Sequence, residues 1–275
     1  MFMTVDGTSQ VENLQLLKLG GSLITDKKLP HTAHLDVLSR LAQEIASAVK
    51  QRPDMKLILG HGSGSFGHVP AHQYGTRNGV RTKEDWLGFV EVWREAVALN
   101  RFVMDALSAE NLPVVAFSPV ASVTASNGCV LHWDLFPIRK ALQAGLIPVV
   151  HGDVIFDAQL GGTILSTEDL FDHLVHKLKP QRVLLAGLEA GVWQDFPDCK
   201  NLTQEITLSN WDNISMGIFG SSATDVTGGM INKVEQSLKW VQDVHGLEVL
   251  VFSGKEPEML GKVLLGAKAG TRIFI

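Results

Sequence analysis

Cysteine is nearly absent from this chain: Cys129 and Cys199 are the only two in 275 residues. One disulfide is the most they could form, which excludes a cystine-stapled secreted scaffold and suits a reduced, cytoplasmic interior. Positive charge is also short, with 24 Lys and Arg against 29 Asp and Glu and a formal net charge of -5. No overall basic field exists to hold nucleic acid, so any site for an anion must be built locally. Long apolar runs are missing too. The best candidate, residues 146–156, is broken by Pro148, His151, Gly152 and Asp153, well short of the ~20 residues a membrane helix needs. The first twelve residues are too polar for a signal sequence and read as a flexible tail. No internal repeat and no low-complexity linker interrupt the remainder.

What is present is an ordinary globular composition, 45% hydrophobic and 19% charged, long enough for a full core. Short apolar runs alternate with segments of helical period, the pattern of an α/β protein with a largely parallel sheet. Leu35, Leu38, Leu41, Ile45 and Val49 recur at three or four residues and predict a helix. A longer one is predicted over residues 84–109, with Trp86, Phe89, Val90, Trp93, Val97, Phe102 and Leu107 as its apolar positions. Strands are expected at residues 55–59, 114–117, 147–150, 182–186, 248–252 and 272–275. Residues 154–156 and 163–165 read as a hairpin joined through Gly161 and Gly162. Residues 13–275 thus form a single domain, with a crossing between two lobes expected near residues 178–181.

Residues 61–68, His-Gly-Ser-Gly-Ser-Phe-Gly-His, follow the apolar Leu57, Ile58 and Leu59. Three glycines and two serines in eight positions leave backbone N–H groups and hydroxyls open to an anion, and phosphate oxygens can approach the main chain closely. A second cradle, Lys18-Leu19-Gly20-Gly21-Ser22, follows Leu14, Leu16 and Leu17, and Lys27 lies just beyond it. A lysine beside paired glycines can reach phosphate oxygens already held by backbone donors, although the Walker A spacing is absent. Two cradles imply two phosphorylated ligands. His151-Gly152-Asp153 ends another apolar run, where α/β sheets expose ligand contacts. Asp225-Val226-Thr227-Gly228-Gly229 opens a helix that carries Lys233, a fourth glycine-rich entrance. His61, His68, His72 and His151 raise the question of a metal, yet no cysteine cluster and no His-Glu-x-x-His accompanies them, so no protein-bound metal is expected.

In order and spacing, residues 18–27, 61–68, 151–153 and 225–233 resemble the amino acid kinase superfamily, and the closing His68 is similar to its isopentenyl phosphate kinase branch. The resemblance covers nearly all of the chain after Leu14. It implies an open three-layer αβα sandwich, commonly a homodimer, that moves the γ-phosphoryl group of Mg2+-ATP to isopentenyl phosphate. By position, it implies that Lys18 and Lys27 hold the nucleotide phosphates, with Gly20, Gly21 and Ser22 as close donors. Gly62, Ser63, Gly64 and Ser65 would lie between donor and acceptor phosphates, and His68 would grip the acceptor. Gly152, Asp153 and Asp169 would border the acceptor pocket, and Gly229 and Lys233 would belong to the nucleotide side. The acceptor lobe would cover residues 13–178 and the nucleotide lobe residues 179–275.

Three segments depart from the family pattern. Ser63 stands where glycine is frequent, Gly187-Leu188-Glu189-Ala190-Gly191 replaces Thr-Asp-x-Asp-Gly, and Ser166-Thr167-Glu168-Asp169 replaces Ser-Gly-Asp-Asp. Fosfomycin kinase, whose glycine loop and histidine look similar, is the alternative acceptor chemistry. A non-catalytic nucleotide sensor is the alternative of another class.

Overall fold

The protein is described by a computed structural model covering residues 11–195, 198–219 and 226–275. In chain order the first half contains β1 (Leu14–Leu19), α1 (Gly21–Ile24), α2 (Leu35–Gln51), β2 (Lys56–His61), α3 (Gly64–Tyr74), α4 (Lys83–Ala109), β3 (Val114–Ala116), α5 (Pro119–Ser122), β4 (Val123–Ser126), β5 (Cys129–Trp133) and α6 (Phe136–Gln143). The second contains β6 (Ile147–His151), β7 (Asp153–Asp157), β8 (Gly161–Leu165), α7 (Thr167–Leu178), β9 (Arg182–Gly187), β10 (Val192–Trp193), β11 (Leu202–Thr203), β12 (Glu205–Ile206), α8 (Trp211–Phe219), α9 (Val226–Asp243), β13 (Glu248–Ser253), α10 (Met259–Leu264) and β14 (Thr271–Ile273).

Eight strands form one sheet in the order β12-β14-β13-β9-β1-β2-β6-β3. All its pairings are parallel except β13 with β14. Strand β1 is central because it is apolar on both faces, as a strand covered by helices on each side must be. Its side chains alternate between two cores. Leu14 and Leu16 pack with Leu174 and Val175 of α7 and Val234 and Leu238 of α9, whereas Leu17 and Leu19 pack with Leu41 and Ile45 of α2, Leu99 of α4 and Leu260 of α10. Three layers result, as the αβα expectation required. The same parity sends Lys18, two residues beyond Leu16, toward α7 and α9.

Several details differ from the sequence reading. The hairpin turn lies at residues 158–160, and Gly161 and Gly162 belong to β8, opposite Asp157 and Phe156. The Asp157 carboxylate closes that turn by accepting the N–H groups of Gln159 and Leu160 at 2.8 and 2.9 Å, side-chain chemistry that displaces the glycines from the turn. Strands β4 and β5, missed in the sequence, join β7 and β8 in a separate four-stranded sheet. The last strand ends at Ile273. Helix α4 has the expected length and opens with a capping box between Thr82 and Asp85, but its buried face is different. Gly88, Val92, Ala96, Leu99 and Val103 point inward with Phe89 and Leu107, while Val90, Trp93, Val97 and Phe102 are exposed. Gly88 and Ala96 carry little hydrophobic signal, and Gly88 lets Tyr74 of α3 approach closely.

Candidate phosphate-binding cavity

The strands β1, β2, β6, β9 and β13 end together: Leu19 pairs with His61 and Ala186, His61 with His151, and Gly187 with Ser253. A parallel sheet exposes its ligand crevice at this carboxyl edge. Here the loops after β1 and β2 are locked backbone to backbone. Gly62 N–H donates to the Leu19 carbonyl at 3.0 Å and Gly20 N–H to the Ala186 carbonyl at 2.8 Å. A side chain on Gly21 would meet the Gly64 backbone, with its Cα only 2.7 Å from the new carbon, and Gly64 itself sits at φ +51°. Both positions therefore require glycine. Thr25, fully buried, ties the loops together: its hydroxyl donates to Gly21 O at 2.8 Å and accepts Ser65 N–H at 2.9 Å. The two cradles are one structure.

A cavity of about 710 Å3 opens over this edge. Lys18, Lys27 and His68 all line it, so the three proposed cation-bearing side chains share one hollow. Gly20, Gly21 and Ser22 form its wall after β1, Gly62, Ser63 and Gly64 after β2, and Gly152 and Asp153 after β6. Gly229 and Lys233 enter from α9. Asp225 lies outside the described residues. Two expected site residues are not brought to the cavity wall. Ser65 turns to the other side of α3, where it borders a separate hollow of about 300 Å3 with Phe66 and Val69. Asp169 is the third residue of α7, and its carboxylate accepts Ser166 N–H at 2.7 Å in the helix cap.

Some contributors were not assigned to the site from the sequence. Glu168 forms an ion pair with Lys18, and its carboxyl, which burial would push up, is held below the ordinary glutamate range by the charge and hydrogen bond of Lys18, with Lys233 adding. Burial lowers the Lys233 ammonium, helped by Lys18 and opposed by Glu168. One carboxylate thus pairs with Lys18 and acts electrostatically on Lys233 at the end of β1. Arg77, from the short turn Thr76–Asn78, also lines the cavity and is 3.1 Å from Asp169. Thr167 fastens the far side, donating to His61 O at 2.6 Å and accepting Gly152 N–H at 3.1 Å. The signal for Glu168 was its place directly after Ser166 and Thr167, where an acid already stands in the resembling family.

The walls are not uniformly polar. Ala71, Val92, Ala96 and Ile164 line the cavity, and all but Ala96 belong to an apolar cluster with Phe89 and Val154. His68 lies at the surface of the hollow, and its imidazole is lowered from the ordinary value by partial burial, then by Lys27 and Lys18. Without an anion His68 favours the neutral form, and a bound phosphate is what would favour its protonation. Among the described residues no three His, Cys, Asp or Glu side chains converge on a common metal position. The donor set therefore fits a divalent ion that arrives on nucleotide phosphate oxygens and takes few protein ligands.

Residues 13–253 match the amino acid kinase family. The chain is 33% identical over 269 residues to the isopentenyl phosphate kinase of Methanocaldococcus jannaschii, covering 94% of this chain and 98% of that protein. It is 34% identical to the isopentenyl phosphate kinase of Methanothermobacter thermautotrophicus, with the same coverage. A solved isopentenyl phosphate kinase structure superposes with a TM-score of 0.79 at 32% identity, covering 94% of this chain and 99% of that one. The fold is also shared with an N-acetylglutamate synthase of Neisseria gonorrhoeae, at a TM-score of 0.65, 15% identity, 95% of this chain and 61% of that one.

Proposed function

The chain belongs to the amino acid kinase family, and from that membership we propose that it is an ATP-dependent kinase that phosphorylates isopentenyl phosphate to isopentenyl diphosphate. The observation that carries this reading is the single cavity in which Lys18, Lys27, Lys233 and His68 meet two interlocked glycine loops beside an apolar wall. The relatives named for this acceptor match over nearly their whole length. Family membership accounts for ATP as the donor.

The acceptor is a phosphate monoester whose second pKa is about 6, so it arrives largely dianionic at neutral pH and needs no general base. One of its oxygens attacks the γ-phosphorus as the bond to the β–γ bridging oxygen breaks, and ADP leaves with that electron pair. Charge on the peripheral oxygens is the quantity to be stabilised. Lys18 and Lys27 would neutralise it, with Gly20, Gly21, Ser22, Ser63 and Gly64 as close donors. Glu168 would keep Lys18 and Lys233 oriented between turnovers. His68, with Gly62, Gly152 and Asp153, would take the acceptor's phosphate, and Ala71, Val92, Ala96 and Ile164 would receive its apolar tail. Mg2+ carried on ATP would supply further charge neutralisation.

Residues 13–178 are assigned to the acceptor half of the domain and residues 179–275 to the nucleotide half. The strand order supports this, since β9, β13, β14 and β12 lie to one side of β1 and β2, β6 and β3 to the other. The altered segment around Glu189 borders the cavity and would set nucleotide preference. A second copy of the chain is the proposed partner, supported by exposed Leu87, Val90, Trp93 and Val97 along α4. Two free cysteines support a cytoplasmic setting, and no helix among the described residues is long and apolar enough to cross a membrane.

The test is a substrate panel. Purified protein with ATP and magnesium is expected to convert isopentenyl phosphate to the diphosphate with stoichiometric ADP. Faster turnover of fosfomycin would move the assignment to phosphonates, and nucleotide binding with no acceptor turnover would make the protein a sensor.

A further inference from the structure

Two buried histidines beside the acceptor end take no part in the transfer step. His61 and His151 end neighbouring parallel strands in register, and their rings stack 5.2 Å apart with planes 6° from parallel. The nitrogens of His61 lie 3.2 Å from Gly62 O and 3.1 Å from Asn100 Oδ1. Those of His151 are buried and have no hydrogen-bond partner among the described residues. Nε2 of His151 is 3.7 Å from Oδ2 of Asp153.

Asp153 is 1% exposed and lies in the cavity wall. Its Oδ1 accepts Val154 N–H at 2.8 Å and its Oδ2 accepts Val120 N–H at 3.4 Å. Two neutral amides are a poor substitute for a cation, and no lysine or arginine pairs with Asp153 among the described residues. A carboxylate held this way would face a dianionic acceptor within one cavity, and like charges repel.

We propose that Asp153 works as an uncharged carboxylic acid at the acceptor end, keeping a proton on Oδ2 so that no carboxylate charge opposes the incoming phosphate. This rests on the reading of residues 61–68 and 152–153 as the acceptor end. No covalent bond changes: where Asp153 is ionised before binding, one proton is taken from solvent onto Oδ2 as the acceptor docks. Without acceptor, the unpartnered Nε2 of His151 is the nearest base for the same O–H.

Protonation equilibria agree with the geometry. Burial raises Asp153 to about 7 against the pull of the Val154 and Val120 amides. It lowers His151 to about 3, with His61 adding, so the proton belongs on the carboxyl. The charged or titratable groups around this end are His61 on β2, His151 on β6, His68 on α3, Lys18 on β1, Glu168 and Asp169 on α7, and Arg77 on the turn before α4. Strands β4 and β8 and helix α5 contain no titratable residue, and α4 contributes apolar Val92 and Ala96 to the cavity.

Infrared titration of the free protein reads the acid directly. A protonated-carboxyl C=O band is expected that fades as pH rises through about 7, and it should be missing from Asp153→Asn. No such band at about pH 6, where exposed carboxyls are ionised, overturns the proposal whatever the acceptor proves to be. In steady state, KM for isopentenyl phosphate should climb from about pH 7 to about pH 9, with Asp153 adding up to about tenfold per unit to whatever slope His68 contributes, as one further proton must be taken up. Asp153→Asn, which is uncharged at every pH, should lack that added slope whatever its absolute KM. Equal slopes in the two proteins overturn the proposal. Absence of isopentenyl phosphate turnover at every pH overturns the substrate reading instead, and the infrared titration then decides the protonation of Asp153 by itself.

Discussion

Two corners of the same cavity handle buried charge in opposite ways. At the end of β1, the Lys18 ammonium in contact with Glu168 holds that carboxyl below the ordinary glutamate range despite its burial, and Glu168 in turn opposes the lowering of Lys233. At the ends of β2 and β6, His61, His151 and Asp153 are as deeply buried but lack such partners, and burial drives all three toward their neutral forms. Sheet parity creates the difference. Lys18 faces the α7 and α9 layer, which supplies Glu168, whereas His61 reaches Asn100 of α4, which supplies a neutral amide. A phosphoryl-transfer site benefits from both: fixed cations where transferring oxygens accumulate charge, and an uncharged floor where a second anion must enter.

The sharpest way to break this contrast is to remove a charge from the first corner. Lys18→Met should lower kcat about 10²–10³-fold, the scale for losing one preorganised transition-state donor, with circular dichroism confirming that the fold persists. A change under threefold would remove Lys18 from the chemistry. The second corner should respond less. His68→Gln is expected to raise KM for the acceptor about 10- to 100-fold, because a charge-assisted hydrogen bond contributes ~1.5–3 kcal/mol. An equal rise in KM for ATP would mean that His68 serves the nucleotide instead.

The smallest effect separates the corners by stability. His151 titrates at about 3 when folded against an ordinary 6.5, so below pH 6.5 the unfolded chain binds a proton that the folded protein refuses. Stability is full above that value and falls as pH drops toward about 3, by up to about 1.4 kcal/mol per unit for one proton. Asp153 acts in the other sense. Its folded value of about 7 exceeds the ordinary 3.8, so its contribution is complete below 3.8 and is lost as pH rises to about 7. Urea unfolding at about pH 7 and pH 5 should show a smaller acid loss in His151→Gln than in wild type. An unchanged difference would mean that His151 is not held neutral.

Much of this was legible in the chain itself, for identifiable reasons. Paired glycines after apolar runs marked both cradles because only glycine lets backbones meet, as Gly21 and Gly64 do. Lysines at those entrances marked the cations. Alternation of strands and helical periods gave the parallel sheet. Periodicity misjudged α4, since Gly88 and Ala96 determine its buried face while carrying little hydrophobic signal. Ser65 was carried over by position from the family resemblance, but one step along α3 turns it away from its neighbour Gly64 and toward a different hollow.

The order of residues alone therefore determined the layered α/β architecture, the position of the glycine-rich loops and the lysines beside them, because these depend on local period and on side chains that are small or charged. Only the tertiary structure decided which charges survive. Glu168 meets Lys18 across 150 residues, His61 stacks on His151 across adjacent strands, and Thr25 joins two loops that are separate in sequence. Protonation is set by the partners and solvent left around a group, and those exist only once distant segments have packed together.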